Sequence, residues 1–135
     1  MITEDYVSFE TAKLLKEKGY WNMATMLYKE NGDIVNYNVP LNNKGFSSTL
    51  GVFYEAPTLQ MAMKWIREKG FHIYSPMEID YDEDERGDKW YHDAAYYPEI
   101  RRVSDGKIMY DDGALYVTPE QACEAAIKYC LEYLI

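Results

Sequence analysis

The chain has 135 residues, 47% hydrophobic and 27% charged, with a formal net charge of −9; this describes one globular domain able to bury roughly two-thirds of its unfolded surface. Such acidity argues against sequence-independent binding to DNA, RNA or anionic lipid, all of which need a basic surface. No apolar run approaches the ~20 residues of a membrane helix, and the acidic start MITEDYVSFE has no apolar signal-peptide core, so the expected location is the cytoplasm.

Residues 7–18, VSFETAKLLKEK, read as a first helix. Ser8 is its N-cap, Phe9, Ala12 and Leu15 share a face, and Gly19 stops it in the left-handed region. Residues 21–30 read as a strand and 34–39 as its return, joined through Asn31-Gly32, which favours a two-residue type I′ turn. In the return strand Val35, Tyr37 and Val39 take one side, Asn36 and Asn38 the other. Residues 40–57 are mostly connection, with a turn at 42–45 and a short strand around 49–54. Residues 58–69, TLQMAMKWIREK, form a second helix with Leu59, Met63 and Ile66 on one face, Ala62 and Trp65 beside them, and Gly70 as its stop. KLLKEKGY at 13–20 is echoed by KWIREKGF at 64–71: a basic last turn, a glycine stop and an aromatic restart.

Residues 71–81 alternate, with Phe71, Ile73, Met77 and Ile79 one way and His72, Tyr74 and Glu78 the other. Residues 80–88, DYDEDERGD, make an acidic loop. Residues 90–103 resume as strand, where Pro98 marks an edge, a bulge or a break. Ser104-Asp105-Gly106 turns the chain, 107–110 returns, and Asp112-Gly113 ends that strand. The last element, 118–135, is the most legible: Thr118 caps it, Pro119 takes the first helical position, and Gln121 sits where a capping box requires. Glu120, Glu124, Lys128 and Glu132 mark its wet stripe. Ala122, Ala126, Tyr129 and Tyr133 form one apolar row, and Cys123, Ile127, Cys130 and Leu134 form the next.

The order α-β-β-α-β-β-β-α predicts a single α+β domain over 1–135, with about five antiparallel strands in one sheet and three helices packed on one face. Phe71, Ile73, Met77, Ile79, Trp90, Ala94, Tyr96 and Ile100 should then lie under the helices. The open face should show His72, Tyr74, Glu78, Tyr91, Asp93, Tyr97, Glu99 and Arg101, with Asn36 and Asn38 nearby.

At KLLKEKGY, APTLQMAMKWIREKG and TPEQACEAAIKYCLEYLI the chain resembles a group of small proteins from Bacteroides-type gut bacteria and their prophages. The resemblance spans most of the chain and rests on helix-boundary patterns. It implies a phage-borne or mobile-element accessory role, and no activity, cofactor or site residue comes with it.

The residues themselves carry little catalytic signal. Asp80, Asp82 and Asp84 have the first spacings of a calcium loop, but Glu85 stands where glycine is needed and Tyr91 where the closing glutamate belongs; a frame starting at Asp82 puts Arg86 on a ligand position. His72 and His92 are the only histidines, so no three- or four-ligand zinc set is in view. Cys123 and Cys130 lie seven apart on one helix, about 10 Å by helical rise, too far for a disulfide, and read as reduced, buried apolar side chains. No phosphate-binding glycine loop or nucleophile elbow is present. The expectation is no metal and no cofactor. Fourteen tyrosines and the acidity point instead to a non-catalytic interaction module that meets a protein partner or a second copy of itself. Its binding residues would be His72, Tyr74, Tyr91, Asp93, Tyr97 and Arg101. The alternative is a small-molecule binder or an enzyme using His72 or His92 with neighbouring tyrosines.

Overall fold

The computed structural model of the chain describes residues 4–22, 24–36, 46–47, 51–111 and 113–135, with backbone alone at 46, 47, 51, 80 and 91–93. The expected strand residues 37–39, the turn at 42–45 and Asp112 lie outside the described residues.

The three helices begin where their caps place them. In α1 (Phe9–Glu17) Ser8 Oγ accepts from the Thr11 amide at 3.2 Å. In α2 (Leu59–Glu68) Thr58 Oγ1 accepts from Met61, and in α3 (Pro119–Tyr129) Thr118 Oγ1 accepts from Gln121, each at 3.2 Å. Each bond satisfies an amide that the helix cannot. The echoed sequences are two copies of one stop signal. Gly19 and Gly70 both sit at positive φ, and their amides return to the carbonyls of Lys16 and Arg67, the penultimate residues of the two helices. α3 continues as a π-helical turn over Cys130–Leu134.

The strands form three antiparallel sheets among the described residues, not one five-stranded sheet. β1 (Met26–Lys29), β2 (Ile34–Asn36), β3 (Phe46–Ser47) and β4 (Gly51–Glu55) pair in the order β2-β1-β4-β3. β5 (Phe71–Tyr74), β8 (Glu99–Arg102) and β9 (Ile108–Tyr110) pair in the order β5-β8-β9. β6 (Met77–Glu83) and β7 (Lys89–Tyr96) form a two-stranded sheet among the described residues. The domain is therefore α+β and antiparallel as expected, but its helices serve two sheets: α1 packs on β4, while α2 and α3 pack on β5. Between them lies the core, built from Ala12 and Leu15 of α1, Ala62 and Ile66 of α2, Ala126 and Ile127 of α3, and Ile73 and Ile100 of the sheet.

The β1–β2 turn differs from the expected type I′. Lys29 and Asp33 close it, the Gly32 amide bonds back to Lys29, and Gly32 takes the left-handed conformation, at φ 95°. That is a three-residue loop, in which Asn31 stays free to accept the Asp33 amide through its side chain at 3.0 Å.

Glu55, buried in β4, organises the segment between α1 and β1. Its carboxylate accepts the Asn22 amide at 2.8 Å and the Ala24 amide at 2.6 Å. Burial raises the Glu55 pKa, against the opposing pull of those amides. Glu55→Ala should cost about 2 kcal/mol, because two part-buried amides lose their acceptor; chemical denaturation checks this, and a loss below ~0.5 kcal/mol would show that water replaces the carboxylate without penalty.

Candidate interaction surface

β5 and β8 pair with His72 opposite Arg101 and Tyr74 opposite Glu99, which places these four side chains on one face. Arg101 Nε donates to the Tyr74 hydroxyl at 2.8 Å, another guanidinium nitrogen meets Glu99 at 3.2 Å, and a third bonds the Gly106 carbonyl at 3.1 Å. Desolvation and then its hydrogen bond to Glu99 raise the Tyr74 phenol above its usual value. The His72 ring stacks on Tyr74 with centroids 5.8 Å apart. Glu99 was expected on the open face but is buried, because Tyr74 and Arg101 close over it. The network uses its polar groups on itself and locks β8 to β5.

Of the six expected binding residues, His72, Tyr74 and Arg101 thus come together. Tyr97 lies at the strand break instead, lining an open cleft of about 430 Å³ with Met77, Glu78, Asp111 and Leu115. Tyr91 and Asp93 belong to β7 by backbone, and their side chains, like that of His92, lie outside the described residues.

The larger departure concerns residues assigned to the core. Met77, Ile79 and Trp90 are 55%, 42% and 52% exposed, and Tyr81 is 47% exposed. The expected alternation holds for Met77 and Ile79, whereas a register shift between Ile79 and Tyr81 sets Trp90 opposite Asp82, on the other face from Ala94; and the helices do not reach that far. α2 and α3 have 10 and 11 residues, about 15 Å each, whereas residues 71–83 extend for about 43 Å. Ile73 and Ile100 lie under the helices; Met77 and Ile79 continue the same row past their ends.

A paired break separates the two halves. Tyr74 faces Glu99 and Met77 faces Tyr96 in one register, so Ser75-Pro76 stands opposite Tyr97-Pro98. Neither proline has an amide to give the ladder, and the Tyr97 amide makes the bond that remains, to the Pro76 carbonyl at 3.2 Å. Beyond it β6 and β7 form a ribbon that packs on itself and on no helix to a comparable degree. At its base Tyr116 exchanges two backbone hydrogen bonds with Tyr96, occupying the outer edge of β7 there.

The ribbon is also where the charge is. Residues 77–96 hold eight Asp and Glu against Arg86 and Lys89, a net −6 of the chain's −9. At the tip, Asp84 Oδ1 accepts the Arg86 and Asp88 amides at 2.9 and 3.0 Å, and Gly87 turns the chain at φ 86°. The acidic loop is therefore a hairpin turn closed by its own carboxylate. Among the described residues no three His, Cys, Asp or Glu side chains converge to hold a metal ion, and no helix is long and apolar enough to cross a membrane.

A second cleft, about 370 Å³, opens between the N-terminal ends of α2 and α3, lined by Glu4, Asp5, Leu59, Met63, Glu120 and Cys123. Cys123 is half-buried there, not fully buried as expected, because the helix end leaves one side uncovered; Cys130, a turn and more inside, is buried. Both thiols are free.

Compared with known protein families, with curated proteins and with solved structures, the chain matches none.

Proposed function

We propose that this chain is a non-catalytic interaction module that binds another protein through the β6–β7 ribbon, as an accessory chain of the sort prophages and mobile elements carry. One observation supports the reading above the rest: an apolar row, Met77, Ile79 and Tyr81, stands half in water on a two-stranded ribbon beyond the core. A lone two-stranded hairpin is marginal in water, and exposed aromatic and methionine side chains ringed by charge are the usual composition of an interface. The alternative, catalysis or small-molecule binding at His72, is not favoured by the geometry, since Tyr74, Glu99 and Arg101 satisfy one another.

The test is the double variant Met77→Ser/Ile79→Ser. Both side chains are exposed, so the melting temperature should stay within about 3 °C of the parent. Affinity capture from the native host, read by mass spectrometry, should lose the proteins that the parent retains. A variant that unfolds would show the row to be core, and one that keeps every partner would remove the ribbon from the binding surface.

A further inference from the structure

The open cleft of about 430 Å³ at the base of the ribbon combines an apolar wall with two acids. Strand parity assembles it. Glu78 stands opposite Ala95, Tyr97 lies two residues after Ala95, and Leu115 precedes Tyr116, which is bridged to Tyr96. Glu78, Tyr97 and Leu115 therefore share one face. Asp111 joins them from the segment after β9, and Met77 lines the cleft as well. Tyr97 is half-buried and Leu115 is exposed. Glu78 and Asp111 are both exposed, and neither carboxylate bonds or pairs with another group among the described residues. None of the described residues lining the cleft is basic.

We infer that the cleft seats the side chain of an arginine carried by the ribbon's protein partner. This rests on the interaction reading above. Two carboxylates without a counter-charge select a cation, the Tyr97 ring selects a flat one, and Leu115 and Met77 suit an aliphatic stem. A guanidinium has five donors in one plane, enough for both Glu78 and Asp111, and its face stacks on a tyrosine. An ammonium is a point charge that holds its water more tightly. An ion pair left in water contributes little, but a partner closing over the cleft excludes water and strengthens each charge-assisted bond. The cleft is open, so it takes one side chain of a larger molecule. The net −6 of residues 77–96 draws a basic partner toward it.

Most arginines of a second copy are unsuited to the role. Arg101 is bonded to Tyr74 and Glu99, and Arg102 to Asp105. Arg86 stands among Asp84, Glu85 and Asp88, whose charges Glu78 and Asp111 repel. Arg67 of α2 is left, and the experiment separates it from a foreign arginine.

The full-length ¹⁵N-labelled chain is titrated with a capped glycine-serine peptide holding one central arginine. Peptides with lysine or with citrulline at that place are the controls. The arginine peptide should shift the amides of Glu78, Tyr97 and Leu115. The lysine peptide should bind about threefold more weakly, and the citrulline peptide, of the same shape without the charge, should leave those amides unmoved. Glu78→Gln/Asp111→Asn should weaken the arginine peptide roughly fivefold, as two exposed charge pairs allow, and added salt should weaken it further. Tyr97→Leu should abolish the preference for arginine over lysine. Equal shifts from the citrulline peptide, equal binding of lysine to the parent, or shifts centred away from the cleft overturn the inference. So does light scattering that finds the free chain dimeric and Arg67→Gln monomeric, since a second copy would then be the occupant. If the arginine peptide fails while Met77→Ser/Ile79→Ser still loses its captured partners, this inference falls alone; if that variant keeps them, the proposed function falls with it.

Discussion

Ile127→Asp should abolish the cooperative thermal transition. Ile127 is completely buried on α3, within the cluster that joins all three helices to Ile73 and Ile100. The substitution removes an apolar side chain from that contact and puts a carboxylate there without a partner. Together the two effects come to roughly 5 kcal/mol or more, against about 5–15 kcal/mol for the whole stability of a domain this size. Circular dichroism on heating reads the result directly. The control is Tyr133→Ser, two turns away but 69% exposed, which should melt within a few degrees of the parent. An Ile127→Asp protein that melts cooperatively at the parent midpoint would mean that α3 presents a different face to the sheet.

The second large effect is alkaline unfolding. Burial pushes the Cys130 thiol up to about 12 and, with the nearby Glu55 carboxylate, the Tyr20 phenol also to about 12. In the unfolded chain these groups ionise near 9 and 10. Both folded values are raised, so the folded state keeps protons that the unfolded chain gives up. Stability is thus fully present below pH 9 and is lost as pH rises through 12. At about 1.4 kcal/mol for each pH unit of difference, Cys130 withdraws on the order of 4 kcal/mol, and Tyr20 adds a smaller share that solvent screens. Unfolding should therefore occur between pH 10 and about 12, read as the loss of helix signal. Cys130→Ala removes the larger contribution and should move the midpoint upward. A helix signal that persists past pH 12 would overturn the linkage of both groups, and a midpoint unmoved by that substitution would overturn that of Cys130.

Much of the fold was legible because its signals are local. The cap at Ser8, the cap at Thr118 with Pro119 after it, and the glycine stops at 19 and 70 each act within one helical turn, so the surrounding protein does not change their meaning. The period-two alternation of residues 71–79 likewise survives in one register on both sides of the break at Ser75-Pro76. Turn geometry was less legible. Asn31-Gly32 is compatible with a two-residue or a three-residue loop, and the choice depends on where the Lys29–Asp33 pair closes the strands. Part of the candidate site could be read as well. His72, Tyr74 and Arg101 share a face because strand parity requires it once β5 pairs with β8. That Glu99 would be covered by two of them could not be read, since exposure depends on side chains meeting across strands.

By itself, the sequence determined the helix ends, the strand alternation, the antiparallel α+β class and the acidity of the stretch around residues 80–88. The tertiary structure alone decided how far the core extends along that alternation. Met77 and Ile79 are as apolar as Ile73 and Ile100, and no local rule distinguishes them. What separates them is helix length against strand length, together with two prolines that become opposite each other only after β5 finds β8 and β6 finds β7. Burial is a property of what covers a side chain. Here the helices end after about 15 Å and the ribbon continues, so the same apolar pattern is core on one side of Pro76 and Pro98 and exposed surface on the other.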